Sequence, residues 1–247
     1  KERMSLTTQA VTSVKWSSIS QFGRQGAQFI TTVVLARLLS PSDFGLMGMA
    51  LVVTGFVAIF KDLGTSAAVI QRNDIHDELL SSIHWVNAAF GLLAMVVIFI
   101  AAPVIADFYK EERIIPILRL LSLTFVISGL SILQQAILER SLAFRKLAVI
   151  ELCAAILSSI VGIGAALKGA GVWSLVYQSL SIVTVTKILL WFSSAWRPRF
   201  IFHWLEVKLV SSYSLNLTGF NVFNYFARNA DYLLIGRFLG AQNLGYY

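Results

Sequence analysis

The stretch ARLLSPSDFGL (36–46) returns without a gap as GRFLGAQNLGY (236–246). Arg37 falls on Arg237, Leu39 on Leu239 and Gly45 on Gly245. The identities gain weight from their setting, because each copy follows a long apolar segment that carries a polar stripe. In the first copy Ser40-Pro41-Ser42-Asp43 offers an N-cap, a proline for the first helical position and an early acid, so it ends one helix and starts the next. Internal repeats are a recurring construction in transporters. The repeat predicts that the segment before residue 236 opens a second half, whose remainder is expected beyond Tyr247. Met4 followed by SLTTQA looks like a natural start, with Lys1–Arg3 as upstream sequence.

Composition sets the class. The chain is 57% hydrophobic and 13% charged. A soluble domain is roughly 45–50% apolar and about 25% charged, so this chain has too little polar surface to cover itself in water. Seven segments reach the roughly 20 apolar residues that a spanning helix needs, at about 11–36, 46–70, 83–106, 114–138, 147–167, 170–195 and 209–236. Lys168-Gly169-Ala170-Gly171 is a tight turn between the fifth and sixth. No period-two alternation runs through many short strands, which argues against a β-barrel. The expected fold class is an all-α, polytopic membrane bundle.

The formal charge of +7 suits loops of a membrane protein better than nucleic-acid binding, because cytoplasmic loops collect Lys and Arg. One side holds ten such residues, including Lys1, Arg3, Lys15, Arg140, Arg145 and Lys146; the other holds five, Arg37, Lys110, Arg113, Lys168 and Arg237. The N-terminus is therefore expected in the cytoplasm. The segment 197–208, RPRFIFHWLEVK, reads as an amphipathic linker on that surface. No cleavable signal is evident. The single cysteine, Cys153, lies in an apolar run and reads as a small core residue.

Within the first span, SISQFGRQGAQFITT (18–32) carries an arginine and three glutamines. At 100° per residue, Ser13, Ser17, Ser20, Gln21, Arg24, Gln28 and Thr31 fall within an arc of about 100°. The seventh span repeats the design with Asn221, Asn224, Tyr225, Arg228, Asp231 and Tyr232 within about 140°. A central arginine costs about 2.5–3.5 kcal/mol on insertion scales, so it faces a cavity or a partner. Arg24 has both readings: a contact for an anion in a cavity, or a clamp that pairs with a carboxylate to fasten two helices. Arg228 and Asp231, three apart, either neutralise each other or serve a coupling ion carried by Asp231. Glu151 is an ion-pair residue near Arg145 and Lys146, with a second role as a coupling carboxylate. Arg119 either snorkels or guides an anionic head group as a secondary anion contact. Gly23, Gly26, Gly162 and Gly164 are places for bending or close helix contact.

LARLLSPSDFGLMGMA (35–50), DLGTSAAVIQR (62–72), LERSLAFRKLA (138–148) and RNADYLLIGRFLGAQNLGYY (228–247) resemble the polysaccharide-transport branch of the multidrug/oligosaccharidyl-lipid/polysaccharide exporter (MOP, MATE-like) superfamily, the Wzx-type flippases. The resemblance implies two six-helix lobes around a central cavity. Here that means a six-helix N-lobe over 11–195, an interfacial linker over 196–208 and the first C-lobe helix over 209–247. It also implies flipping of undecaprenyl-pyrophosphate-linked oligosaccharide across the bacterial inner membrane by alternating access. Ser17, Gln21, Arg24, Gln28, Asn221, Asn224 and Arg228 would then line the substrate cavity. The lipid-linked oligosaccharide, membrane lipids and a polysaccharide polymerase or export machinery would be the partners.

Three alternatives stay open. A drug or cation antiporter of the same superfamily would have an acidic cavity, whereas the embedded groups here lean basic. A polysaccharide polymerase or acyltransferase would carry a large external loop with paired catalytic groups. A lipid II flippase differs only in substrate. His76, His84 and His203 sit near the cytoplasmic boundary without a cysteine or carboxylate cluster at ligand spacing, and no phosphate-cradling glycine motif is present. The expectation is a non-enzyme without cofactor, metal or catalytic residue.

Overall fold

The computed structural model describes the backbone of residues 6–60, 69, 76–203 and 215–247, and the side chains of that set outside 6–20 and 215–220. Every regular element among the described residues is an α-helix: α1 (Leu6–Leu38), α2 (Pro41–Ala58), α3 (Asp77–Tyr109), α4 (Ile114–Gly129), α5 (Ile132–Arg140), α6 (Phe144–Leu167), α7 (Trp173–Ser193) and α8 (Leu215–Tyr246). Helices α2, α3, α6 and α7 are long and apolar enough to cross a membrane, and α4 with α5 adds a fifth span if the bent pair counts as one. α1 and α8, at 33 and 32 residues, have the length but dilute their apolar character with the polar stripes. The protein is a polytopic helical membrane protein.

The junctions follow local chemistry. The Asp43 N–H donates to Ser40 Oγ at 3.3 Å, and the Asp43 carboxylate accepts from the Ser40 N–H at 3.0 Å. That capping box, with Pro41 leading the helix, starts α2 where the sequence places it. Gly169 (φ 76°) and Gly171 (φ 57°) take left-handed conformations in the turn between α6 and α7, which the absence of a Cβ permits.

Two readings are corrected. The fourth span, expected to run unbroken over 114–138, bends by 43° between α4 and α5. Gly129 is pressed against α3, where an added Cβ would lie 2.5 Å from the Asn87 carbonyl oxygen. The Ser131 hydroxyl donates to the Ile127 carbonyl at 3.0 Å. A glycine near a serine that bonds back to the preceding turn is a recognised cause of a kink. Cys153, read as a core residue, is exposed on the outer surface of α6.

Helix α1 packs along α6, α2 along α8, α3 along α4, and α6 along α7. The largest core cluster joins Met49 and Ala50 of α2, Ala102 of α3, Leu118 of α4, Val176 of α7 and Leu244 of α8. Outward faces carry Phe22, Ile100 and Phe192, an apolar surface suited to hydrocarbon. After α7, residues 194–203 form no helix. They lie across the first turns of α3, with the Arg199 and His203 N–H groups donating to Ser81 Oγ (3.1 Å) and Ser82 Oγ (2.9 Å). The rest of the amphipathic linker, 204–208, and the second span beyond Phe60, except Val69, lie outside the described residues.

The repeat that opened the reading has a structural counterpart. Gly240 (φ 81°) interrupts α8 at the position that Ser40 holds between α1 and α2, an offset of 200. A Cβ on Gly45 would overlap the Ala241 carbonyl, and a Cβ on Gly245 would overlap the Pro41 carbonyl. Ala241 is Pro41 advanced by 200, and Gly245 is Gly45 advanced by 200. The two contacts therefore exchange under the repeat, as residues do across a two-fold axis.

Candidate functional site

The polar stripe of α1 divides its work along two edges. One edge fastens α1 to α6, which runs beside it in the same direction. The Arg24 guanidinium pairs with Glu151 at 3.5 Å. Gly23 admits Leu152, whose Cδ1 would lie 3.1 Å from an added Cβ. Thr31, buried, donates to Ser159 Oγ at 2.7 Å. These rungs recur at about two helical turns, the spacing at which a helix returns to one face. Gly26 has nothing within 4 Å of an added Cβ, so of the two glycines beside Arg24 only Gly23 marks a close contact. Gly162 meets Gln178 on α7, whereas Gly164 faces open space.

The other edge borders an open cavity of about 590 Å³ lined by α1, α2, α6, α7 and α8, with Leu35, Phe44, Met47 and Leu175 among its apolar wall residues. Arg24, Gln28 and Thr32 supply its α1 wall; Ser158 and Ser159 come from α6, Gln178 and Ser179 from α7, and Tyr232 from α8. Gln21 Oε1 accepts a hydrogen bond from Arg24 Nη2. The structure thus places Gln21 and Glu151 against Arg24, which lines the cavity with Gln28, whereas Gln21 and Glu151 are not among the lining residues. Of the two readings of Arg24, the pairing with a carboxylate on another helix is present, and the side chain also lines the cavity. Both partners keep over a third of their side-chain surface open, 38% for Arg24 and 36% for Glu151.

Other candidates lie apart. Asn221, Asn224 and Arg228 are exposed on α8 and do not line the cavity. Arg228 and Asp231 do not form an ion pair; Asp231 accepts from the Tyr247 hydroxyl at 2.8 Å instead. Arg228 lies one turn before Tyr232, the α8 residue that lines the cavity. Arg119 rests over the Phe99 ring, 4.6 Å from its centroid, away from the cavity. Ser17 lies outside the described side chains. Among the described residues no group of three or more His, Cys, Asp or Glu could hold a metal ion.

The sequence reading missed the α6 and α7 walls. Ser158-Ser159 and Gln178-Ser179 are short polar pairs inside apolar spans, and Gly162, one turn beyond Ser158, lets Gln178 approach. Those pairs were the available signal. A single pair does not reveal its direction until the neighbouring helix is placed.

A bundle of apolar helices around a cavity with an arginine and several polar side chains on a partly apolar wall defines a class of protein, the polytopic membrane protein with an internal site. The family model for polysaccharide biosynthesis proteins matches residues 34–247, and the chain belongs to that family. It is 32% identical over 98% of its length to the teichuronic acid biosynthesis protein TuaB of Bacillus subtilis. Against the succinoglycan biosynthesis transport protein ExoT of Rhizobium meliloti it is 32% identical over 95% of its length. Against the lipopolysaccharide biosynthesis protein WzxC of Escherichia coli it is 26% identical over 99%. These alignments cover 51%, 48% and 50% of the three relatives, so the chain spans about half their length. No solved structure matches.

Proposed function

We propose that the protein is a polysaccharide transporter that flips a lipid-linked oligosaccharide across the bacterial inner membrane, with its N-terminus in the cytoplasm. Relatives named for succinoglycan transport and lipopolysaccharide biosynthesis support the substrate class. The lipid carrier, undecaprenyl pyrophosphate, is inferred from the family resemblance. The observation that carries the reading is Arg24, with Gln, Ser, Thr and Tyr side chains, on the wall of a cavity inside an apolar bundle. A guanidinium matches phosphate oxygens with two parallel donors, and the Gln, Ser, Thr and Tyr side chains around it suit sugar hydroxyls. The pyrophosphate would take Arg24 from Glu151, leaving that carboxylate to a coupling ion, a role Asp231 would share. Asn221, Asn224 and Arg228 would face the same path from the side that the remaining half of such a protein supplies. Alternating access then follows from rocking of the two halves about the cavity.

An antiporter for cationic drugs is less well supported, because the charged group on the cavity wall is a cation. The test is flipping in vesicles. The complete protein, reconstituted in liposomes, should move undecaprenyl-pyrophosphate-linked oligosaccharide to the outer face, and Arg24→Ala should abolish the movement. Equal flipping by wild type and variant would contradict the assignment of Arg24. No flipping by wild type beyond empty liposomes would contradict the transport reading.

A further inference from the structure

Arg119 and its surroundings form a second site with different chemistry. Arg119 stands on the outer face of α4, five residues past Ile114 and so about 7.5 Å along the helix. A long cation at that depth ordinarily snorkels back to the water at the helix end. This one does not. Its guanidinium lies over Phe99, 4.6 Å from the ring centroid, and Phe99 sits ten residues before the end of α3, about 15 Å along that helix. No carboxylate among the described residues pairs with Arg119.

Beside it opens a groove of about 520 Å³ between α3, α4 and the start of α7. Met95, Phe99, Leu120 and Leu123 make its walls apolar, with Trp173 of α7 at its border. Phe99 and Leu123 are exposed, so the groove faces the surroundings of the bundle rather than the central cavity. A free anion would account for the cation and leave the apolar groove unexplained. A hydrocarbon chain alone would fill the groove and leave the cation unneutralised. A zwitterionic lipid would bring its own ammonium beside the guanidinium.

We propose that this groove binds one anionic phospholipid, its phosphate on Arg119 and an acyl chain along Met95, Phe99 and Leu123. The site is separate from the flipping cavity and does not depend on the transport reading. It would hold α3, α4 and α7 together at that membrane face.

The test is native mass spectrometry of the complete protein, delipidated in detergent and titrated with phosphatidylglycerol or phosphatidylcholine of identical chains. Wild type should retain one phosphatidylglycerol about fivefold more tightly than phosphatidylcholine, the factor expected for one basic side chain at a lipid surface. Arg119→Gln should remove the preference and Arg119→Lys should keep part of it. Leu123→Trp, which fills the groove, should weaken retention of both lipids at an unchanged melting temperature. Equal retention of both lipids by wild type, an unchanged preference in Arg119→Gln, or undiminished retention in folded Leu123→Trp would overturn the proposal.

Discussion

Arg24 is held by a carboxylate and open to a cavity at once, and the balance between the two sets its behaviour. If water fills the cavity, as the transport reading requires, the Arg24–Glu151 pair, over a third exposed at 38% and 36%, is worth at most about 1 kcal/mol. Glu151→Gln should therefore lower the melting temperature by no more than about 2–4 °C, the shift expected for 1 kcal/mol in a chain of this size. A larger drop, read by thermal unfolding in detergent, would make Glu151 a structural anchor. Outside the spans, Glu111 in the turn before α4 accepts hydrogen bonds from Arg113 at 2.7 and 2.8 Å, which holds its carboxyl below the ordinary 4.5. A depressed carboxylate adds stability above its unfolded pKa and loses it as the pH falls through the folded value. Acidification below about 4.5 should thus cost a small stability increment that Arg113→Gln abolishes, measured as the difference in melting temperature between pH 6 and pH 4. Arg24 was legible as a cation out of place in an apolar run. Its partner was not, since Glu151 lies 127 positions away on another helix.

At the scale of the element, caps and glycines decide how the helices begin and meet. Ser40→Ala removes the side-chain half of the capping box and should cost about 0.5–2 kcal/mol, read by chemical or thermal unfolding. Gly45→Ala drives a methyl group into the Ala241 carbonyl and should cost about 1–3 kcal/mol as an overpacked contact. Gly26→Ala has open space and should instead stabilise by about 0.5–1 kcal/mol. Equal effects at the two glycines would contradict the packing of α2 on α8. The start of α2 was readable because Ser40, Pro41 and Asp43 are local chemistry. The bend between α4 and α5 was not, because the apolar run continues through Leu130 and Ile132 and only Ser128, Gly129 and Ser131 mark it. Cys153 was misplaced for a related reason. Apolar spans bury one face and show the other to lipid, and hydropathy alone does not distinguish the two.

For the whole molecule, the repeat at an offset of 200 is the organising feature, since it links a weak sequence match to the paired contacts of Gly45 and Gly245. It was legible because each copy carries its own turn, whereas the cavity walls from α6 and α7 appear only once the bundle is assembled. The charge bias of the loops predicts opposite sides for the 110–113 turn and the 140–143 turn. In a Cys153→Ser background, Lys110→Cys should react with an impermeant maleimide added to intact spheroplasts, and Leu142→Cys only after lysis. The most direct measurement for the central claim uses the full-length gene in a strain that lacks its own flippase. Surface polysaccharide is compared for wild type, Arg24→Lys, Arg24→Gln and Arg24→Ala at matched membrane levels. If Arg24 is the cation of the translocation path, Gln and Ala abolish export while Lys retains part of it. Normal export by all three variants would contradict that role and reduce the polar stripe of α1 to a surface for packing against α6.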